Sequence, residues 1–70
     1  MNLTQATPGQ EYIIRHLDTT DEELNAFLFS LGCYSGEPIT VISRRRRNYT
    51  VSIKNARYSI DHHLARAIHI

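Results

Sequence analysis

The spacing of apolar residues changes period twice along the chain, and those changes mark its elements. In Glu11 to Leu17, Tyr12 and Ile14 share one face of a predicted strand while Leu17 falls on the other. A bulge near Arg15-His16 would return Leu17 to the Tyr12/Ile14 side. From Asp21 to Leu31 the period becomes helical, with Leu24, Phe27, Leu28 and Leu31 at i, i+3, i+4 and i+7. Thr20 with Glu23 three residues on reads as a capping box, and Asp21, Glu22 and Glu23 crowd the positive end of the helix dipole. Gly32 is placed to stop the helix, because it tolerates the left-handed geometry of a C-terminal cap.

After a turn at Tyr34-Ser35-Gly36 the period drops to two. Ile39 and Val41 alternate with Thr40, and Ile42 breaks the alternation. Tyr49, Val51 and Ile53 alternate cleanly against Thr50, Ser52 and Lys54. A turn at Asn55-Ala56 would lead into Arg57 to Ile60, setting Ile53 opposite Tyr58 and Val51 opposite Ile60, with Lys54 and Arg57 together on the wet face. Asp61 is the expected cap of a short turn through Leu64, and Ala67 to Ile70 a last apolar strand. Five short strands and one helix suit a closed barrel better than a flat sheet, since pairing the first strand with the last removes exposed edges. The expected fold is therefore mainly β: a five-stranded SH3-like barrel with one inserted helix at about residues 21–31.

Length and composition narrow the chemistry. Seventy residues make a single domain over 1–70 with a thin core. Cores of this size supply no more than about 3–5 kcal/mol, which argues against a self-contained enzyme with desolvated catalytic groups. The one cysteine, Cys33, excludes a disulfide framework and a cysteine-based zinc site, and reads as a small buried hydrophobe. No apolar run approaches a membrane span, and Met1-Asn2-Leu3-Thr4 lacks the order of a secretion signal, so a cytoplasmic location is expected. The formal charge of +1 hides an asymmetry: six of the seven acids precede residue 40 and seven of the eight bases follow it.

The order of these residues resembles the ferrous-iron transport protein A (FeoA) family. Leu31-Gly32-Cys33-Tyr34-Ser35-Gly36 followed by Ile39-Thr40-Val41-Ile42 is similar to the family's leucine-glycine turn and the strand after it. Leu3 with Pro8-Gly9, Ile14 with Leu17, Val51 with Ile53, Tyr58-Ser59-Ile60, and Leu64-Ala65 with Ile68 and Ile70 match the rest, so the likeness spans nearly the whole chain. It implies a non-enzymatic cytosolic accessory of ferrous-iron uptake that docks on the membrane permease of the FeoB type, at its cytoplasmic part, and so is recruited to the inner face of the membrane. The same fold closes some iron-dependent repressors, but no DNA-binding helices accompany it here. Two positions depart from the family pattern. Cys33 stands where a bulky hydrophobe such as Met is usual, and Arg44 to Arg47 replaces a more neutral turn.

Three groups of residues carry candidate chemistry. Arg44, Arg45, Arg46 and Arg47, with Asn48, form a hairpin tip if Val41 pairs with Val51; such a tip could keep the edge soluble or meet an acidic protein surface, anionic lipid or nucleic acid. Of these, nucleic acid is weakest, because only Tyr49 and Tyr58 are near enough to stack on bases. Cys33, Tyr34 and Ser35 lie where the helix meets the barrel and are candidate partner contacts. His16 and Asp18 share a strand face, and His69 lies on a strand that would neighbour theirs in a closed barrel. That trio has the donor types that ferrous iron or zinc accepts, so weak transition-metal binding, with no required cofactor, is the alternative function: a metal sensor or delivery domain. His62 and His63 are consecutive and diverge, a poor chelate.

Overall fold

The structure, a computed structural model, describes residues Met1–Ile70. A 3-10 turn at Leu3–Gln5 leads to β1 (Glu11–Ile13), β2 (His16–Leu17), α1 (Glu22–Leu31), β3 (Pro38–Arg45), β4 (Asn48–Ile53), β5 (Ala56–Asp61), α2 (His62–Ala67) and β6 (Ile68–His69). The strands form a four-stranded sheet in the order β1-β3-β4-β5 and a two-stranded sheet of β2 with β6. This is the mainly β, SH3-like architecture expected, with the first predicted strand divided between the sheets. The division falls at Ile14-Arg15: the Ile14 amide donates to the Glu37 carbonyl at 2.9 Å, and the next amide, of Arg15, to His69 at 2.8 Å. Consecutive amides of an extended chain point opposite ways, so this one step passes the chain from one sheet to the other. Ile14 is buried at the transfer, and Leu17 packs against the core; the step between sheets, not a bulge at Arg15-His16, brings it there. First and last strands pair as expected, His16 with His69 and Leu17 with Ile68.

The core is the inward row of each strand. Ile39 and Val41 on β3, Tyr49, Val51 and Ile53 on β4, and Ile60 on β5 are buried together with Leu3, Ile14, Leu28, Ala65 and Ile68. Val41 pairs with Val51, the condition on which the hairpin tip depended; the next pair is Ser43 with Thr50, so Ile42 is the extra residue of a β-bulge. The β4–β5 register differs from expectation. Ile53 pairs with Ala56, Val51 with Tyr58 and Tyr49 with Ile60, which puts Lys54 and Asn55 in the turn with φ of 51° and 67°. A type I′ turn needs positive φ at both central residues, and Asn tolerates this at the second position where Ala would not. Lys54 therefore leaves the wet face of the strand, where it was paired with Arg57.

Helix α1 also departs in detail. Its cap is Asp21, not Thr20: the Asp21 carboxylate accepts from the amides of Glu23 at 2.9 Å and Leu24 at 3.3 Å. A charged acceptor at this position adds attraction to the dipole that a Thr hydroxyl lacks. Of the predicted apolar stripe only Leu28 is fully buried, and Phe27 is 46% exposed. Asp61 caps α2 through the Leu64 amide at 2.9 Å, as expected, but the helix runs on to Ala67 because Ala65 and Ala67 both face the core. The last strand consequently begins at Ile68. No helix is long and apolar enough to cross a membrane.

Two backbone turns hold α1 to the barrel. The Cys33 amide donates to Leu28 at 3.0 Å and the Gly32 amide to Phe29 at 2.9 Å, a Schellman pairing with Gly32 at φ 97°. A Cβ on Gly32 would lie 3.3 Å from Cγ2 of Ile53. Gly32→Ala is expected to lower stability by about 1–2 kcal/mol from the left-handed backbone alone, read as a lower urea midpoint. Cys33, next in line, is 1% exposed, and burial pushes its thiol up from 9.0 to about 11. Below pH 9 the thiol is neutral in both the folded and unfolded chain. Between pH 9 and about 11 only the unfolded chain ionises, so stability falls across that window, by up to ~2–3 kcal/mol. Urea melts from pH 8 upward should therefore fall more steeply for the wild type than for Cys33→Ala; equal slopes would contradict a desolvated thiol.

Candidate docking site

The end of α1 presents an aromatic surface. Beyond Gly32, a tight turn returns the chain to β3: the Glu37 amide donates to Tyr34 at 3.0 Å, and Gly36 takes φ 91°. The Gly36 amide reaches Ile14 at 2.7 Å and so ties this turn to the point where the first sheet ends. Tyr34 is thereby held outward, 45% exposed, with its ring stacked on Phe29 at 5.7 Å between centroids and 21° between planes. Lys54 Nζ lies 5.1 Å from the centre of the Tyr34 ring. Its ammonium faces the aromatic quadrupole, a contact worth about 0.5–1 kcal/mol at an exposed site. Phe27 and Phe29 are each 46% exposed and flank buried Leu28 on opposite sides of the helix.

Among the residues expected here, Tyr34 and Ser35 are exposed, whereas Cys33 lies in the core. Cys33 therefore supports the surface from beneath and offers a partner no atom. Phe29 and Lys54 complete the surface and were not anticipated. The signal for Phe29 is in the sequence, as a large aromatic that falls outside the apolar stripe of its own helix. Lys54 has no such signal, since only the β4–β5 turn brings it to Tyr34.

The arginine run divides. Arg45 pairs with Asn48, so the hairpin tip is the two-residue turn Arg46-Arg47, not a five-residue loop. The bulge at Ile42 shifts the alternation of β3 by one residue, and Arg44 then falls opposite buried Tyr49. Its guanidinium donates to the Thr4 carbonyl at 3.0 Å and lies 6.0 Å from the centre of the Tyr49 ring. Arg44 is a latch between β3 and the N-terminal turn. All four arginines are exposed, and Arg44 is the one tied back to the barrel. The tip and the aromatic surface sit at opposite ends of β4, whose six residues span about 20 Å. They are separate patches.

Barrel closure brings His16, Asp18 and His69 together. The two imidazoles stack at 4.5 Å with planes 20° apart, and His69 Nε2 lies 3.2 Å from Asp18 Oδ2. The nitrogen lone pairs lie in the ring planes, so two nearly parallel stacked rings hold theirs in separate, nearly parallel planes rather than aiming them at one point. No group of three His, Cys, Asp or Glu side chains is arranged to hold a metal ion. The trio meets as a ring stack and a His69–Asp18 contact where the chain's first and last strands join. His62 approaches the Tyr49 hydroxyl at 3.4 Å through Nδ1, and His63 is exposed elsewhere on α2.

The FeoA domain matches residues 1–70, the whole chain. No curated protein matches the sequence. Among solved structures, an iron uptake regulatory protein (FeoA) superposes with a TM-score of 0.85 at 22% identity, covering 97% of this chain and 91% of its own. FeoA of Stenotrophomonas maltophilia, crystallised with zinc and described as an SH3 domain protein, gives 0.87 at 14% identity over 99% and 87%. A manganese-dependent transcriptional repressor gives 0.88 at 20% identity over 97% of this chain but 39% of its own. At these identities the superpositions establish the shared fold. The match over every residue does more, and the chain belongs to the FeoA family.

Proposed function

We propose that this protein is a non-enzymatic accessory of ferrous-iron uptake that works by contact with the cytoplasmic part of a FeoB-type permease, at the inner face of the membrane. Membership of the FeoA family supports the process, and a role as a ferrous-iron transport activating factor has been suggested for the Stenotrophomonas relative. The observation that carries the mode of action is the Phe29–Tyr34 stack. Two large rings half-exposed at the end of a helix, rimmed by Lys54, match the makeup of an interface anchor. They sit on rigid backbone, since the Schellman turn, Gly36 and Ile14 fix both ends of the segment that bears Tyr34. Preorganisation of this kind lowers the entropy lost on binding. The stacked geometry of His16 and His69 does not support the alternative of a metal-delivery domain.

Arg45, Arg46 and Arg47 have a second part in this reading. Exposed charges at a rim speed encounter more than they hold a complex. Near an anionic membrane each contributes about 1 kcal/mol, so three of them assist docking without sustaining it.

In a pull-down of the permease's cytoplasmic domain, with and without guanine nucleotide, the double variant Phe29→Ser/Tyr34→Ala is expected to lose at least about 30-fold in affinity, the scale of a hot-spot pair. Unchanged affinity in a variant with native circular dichroism would place the contact elsewhere. Neutralising Arg45, Arg46 and Arg47 to Gln should slow association a few-fold and flatten its dependence on salt, leaving dissociation unaltered. Arg44 is left intact in that variant because it braces the fold.

A further inference from the structure

Strand β5 ends the sheet order β1-β3-β4-β5, so one of its edges has no neighbour. The two-residue turn makes Ile53 and Ala56 a hydrogen-bonded pair, and strand alternation makes Val51–Tyr58 and Tyr49–Ile60 the same kind. The main-chain groups of the intervening residues, Arg57 and Ser59, and the amide of Asp61 therefore point away from β4. No backbone hydrogen bond from a turn or loop reaches them. All three residues are exposed. Apart from the charges of Arg57 and Asp61, the usual protections of an edge are missing: β5 holds no proline, its register with β4 is unbroken, and no helix or loop pairs with it.

The side chains along this edge are self-complementary. Arg57 and Asp61 stand four residues apart on one face with Ser59 midway. Neither takes part in an ion pair, the one such contact in the molecule being between His69 and Asp18. A second β5 laid antiparallel about a two-fold axis at Ser59 would set Ser59 against its own copy. Arg57 of each chain would then face Asp61 of the other. Each of these pairs joins residues whose main-chain groups point outward, so the register that matches the charges is also the one that satisfies the open amides. Asp61 uses one carboxylate oxygen to cap α2 at the Leu64 amide, and the other is free for the arginine.

We propose that the protein associates with a second copy of itself through β5, forming a two-fold dimer in which one sheet runs through both chains. A single strand edge buries little area, so the dimer is of the transient class, below about 1,200 Å². The inference rests on topology and charge alone and stands apart from the permease reading.

Sedimentation velocity on the full chain, from about 10 μM to about 1 mM, should show the mass rising from one chain to two. Arg57→Glu sets like charges against each other in the homodimer and should leave a monomer. Asp61→Arg should do the same, with its fold checked by an amide spectrum because the α2 cap is lost. The two variants mixed have opposite charges at both pairs and should recover the dimer. Amide exchange gives a second reading that needs no variant. The Arg57 and Ser59 amides should gain at least tenfold protection at high concentration, while Tyr58 and Ile60, already bonded to β4, change little. A monomer throughout the range, or a dimer that Arg57→Glu leaves intact, overturns the proposal; so does exchange at Arg57 and Ser59 that ignores concentration.

Discussion

Side chains alternate along a strand, and on β4 this sends Tyr49, Val51 and Ile53 to one side while Thr50, Ser52 and Asn48 face water. Nearly every other part of the molecule takes its position from that inward row. Val51 sets the register of both hairpins, against Val41 on β3 and Tyr58 on β5. Ile53 meets Gly32, which lets the helix end come close enough to hang Tyr34 outside the barrel. Tyr49, at the other end of the row, supports Arg44 and touches His62 of α2. Loss of packing on β4 would therefore disturb the aromatic surface and the basic tip together, although they lie at opposite ends of the strand.

The bulge at Ile42 has an effect out of proportion to one residue. Without it, strand alternation would turn Arg44 to the face away from Tyr49, beside Arg46. With it, Arg44 folds back on a carbonyl and an aromatic ring, and three arginines remain at the tip. A charged residue thus serves as structural support, its guanidinium held by the Thr4 carbonyl and facing the Tyr49 ring. The same logic separates the two copies of a basic-aromatic pairing in this fold: Arg44 with Tyr49 braces the barrel, and Lys54 with Tyr34 edges the candidate contact.

Much of the fold was legible because its signals are local. The period of three to four residues in α1, the glycine that ends it, the alternation in β4 and the carboxylate that caps α2 each act within a few residues of chain. Errors occurred where two local solutions were close in energy. Thr20 and Asp21 both make good caps, and Asn55 can be either the first or second residue of its turn. The candidate site was half legible: Tyr34 and Ser35 follow from the glycine-bounded turn, while Phe29 and Lys54 come to them from a helix flank and a distant hairpin.

By itself the sequence determined that a helix ends at Gly32, that strands follow it, and which face of β4 is buried, because propensity, capping and alternation are properties of neighbours along the chain. It also placed His16, Asp18 and His69 close together, through the need of a barrel to join its ends. Tertiary structure alone decided that the two histidine rings lie nearly parallel, that Arg44 is tied back to the N-terminal turn, that Lys54 meets Tyr34, and that β5 is left without a neighbour. Those outcomes depend on side-chain direction and strand order across the whole barrel, where a shift of one residue reverses a face and no nearby residue records it.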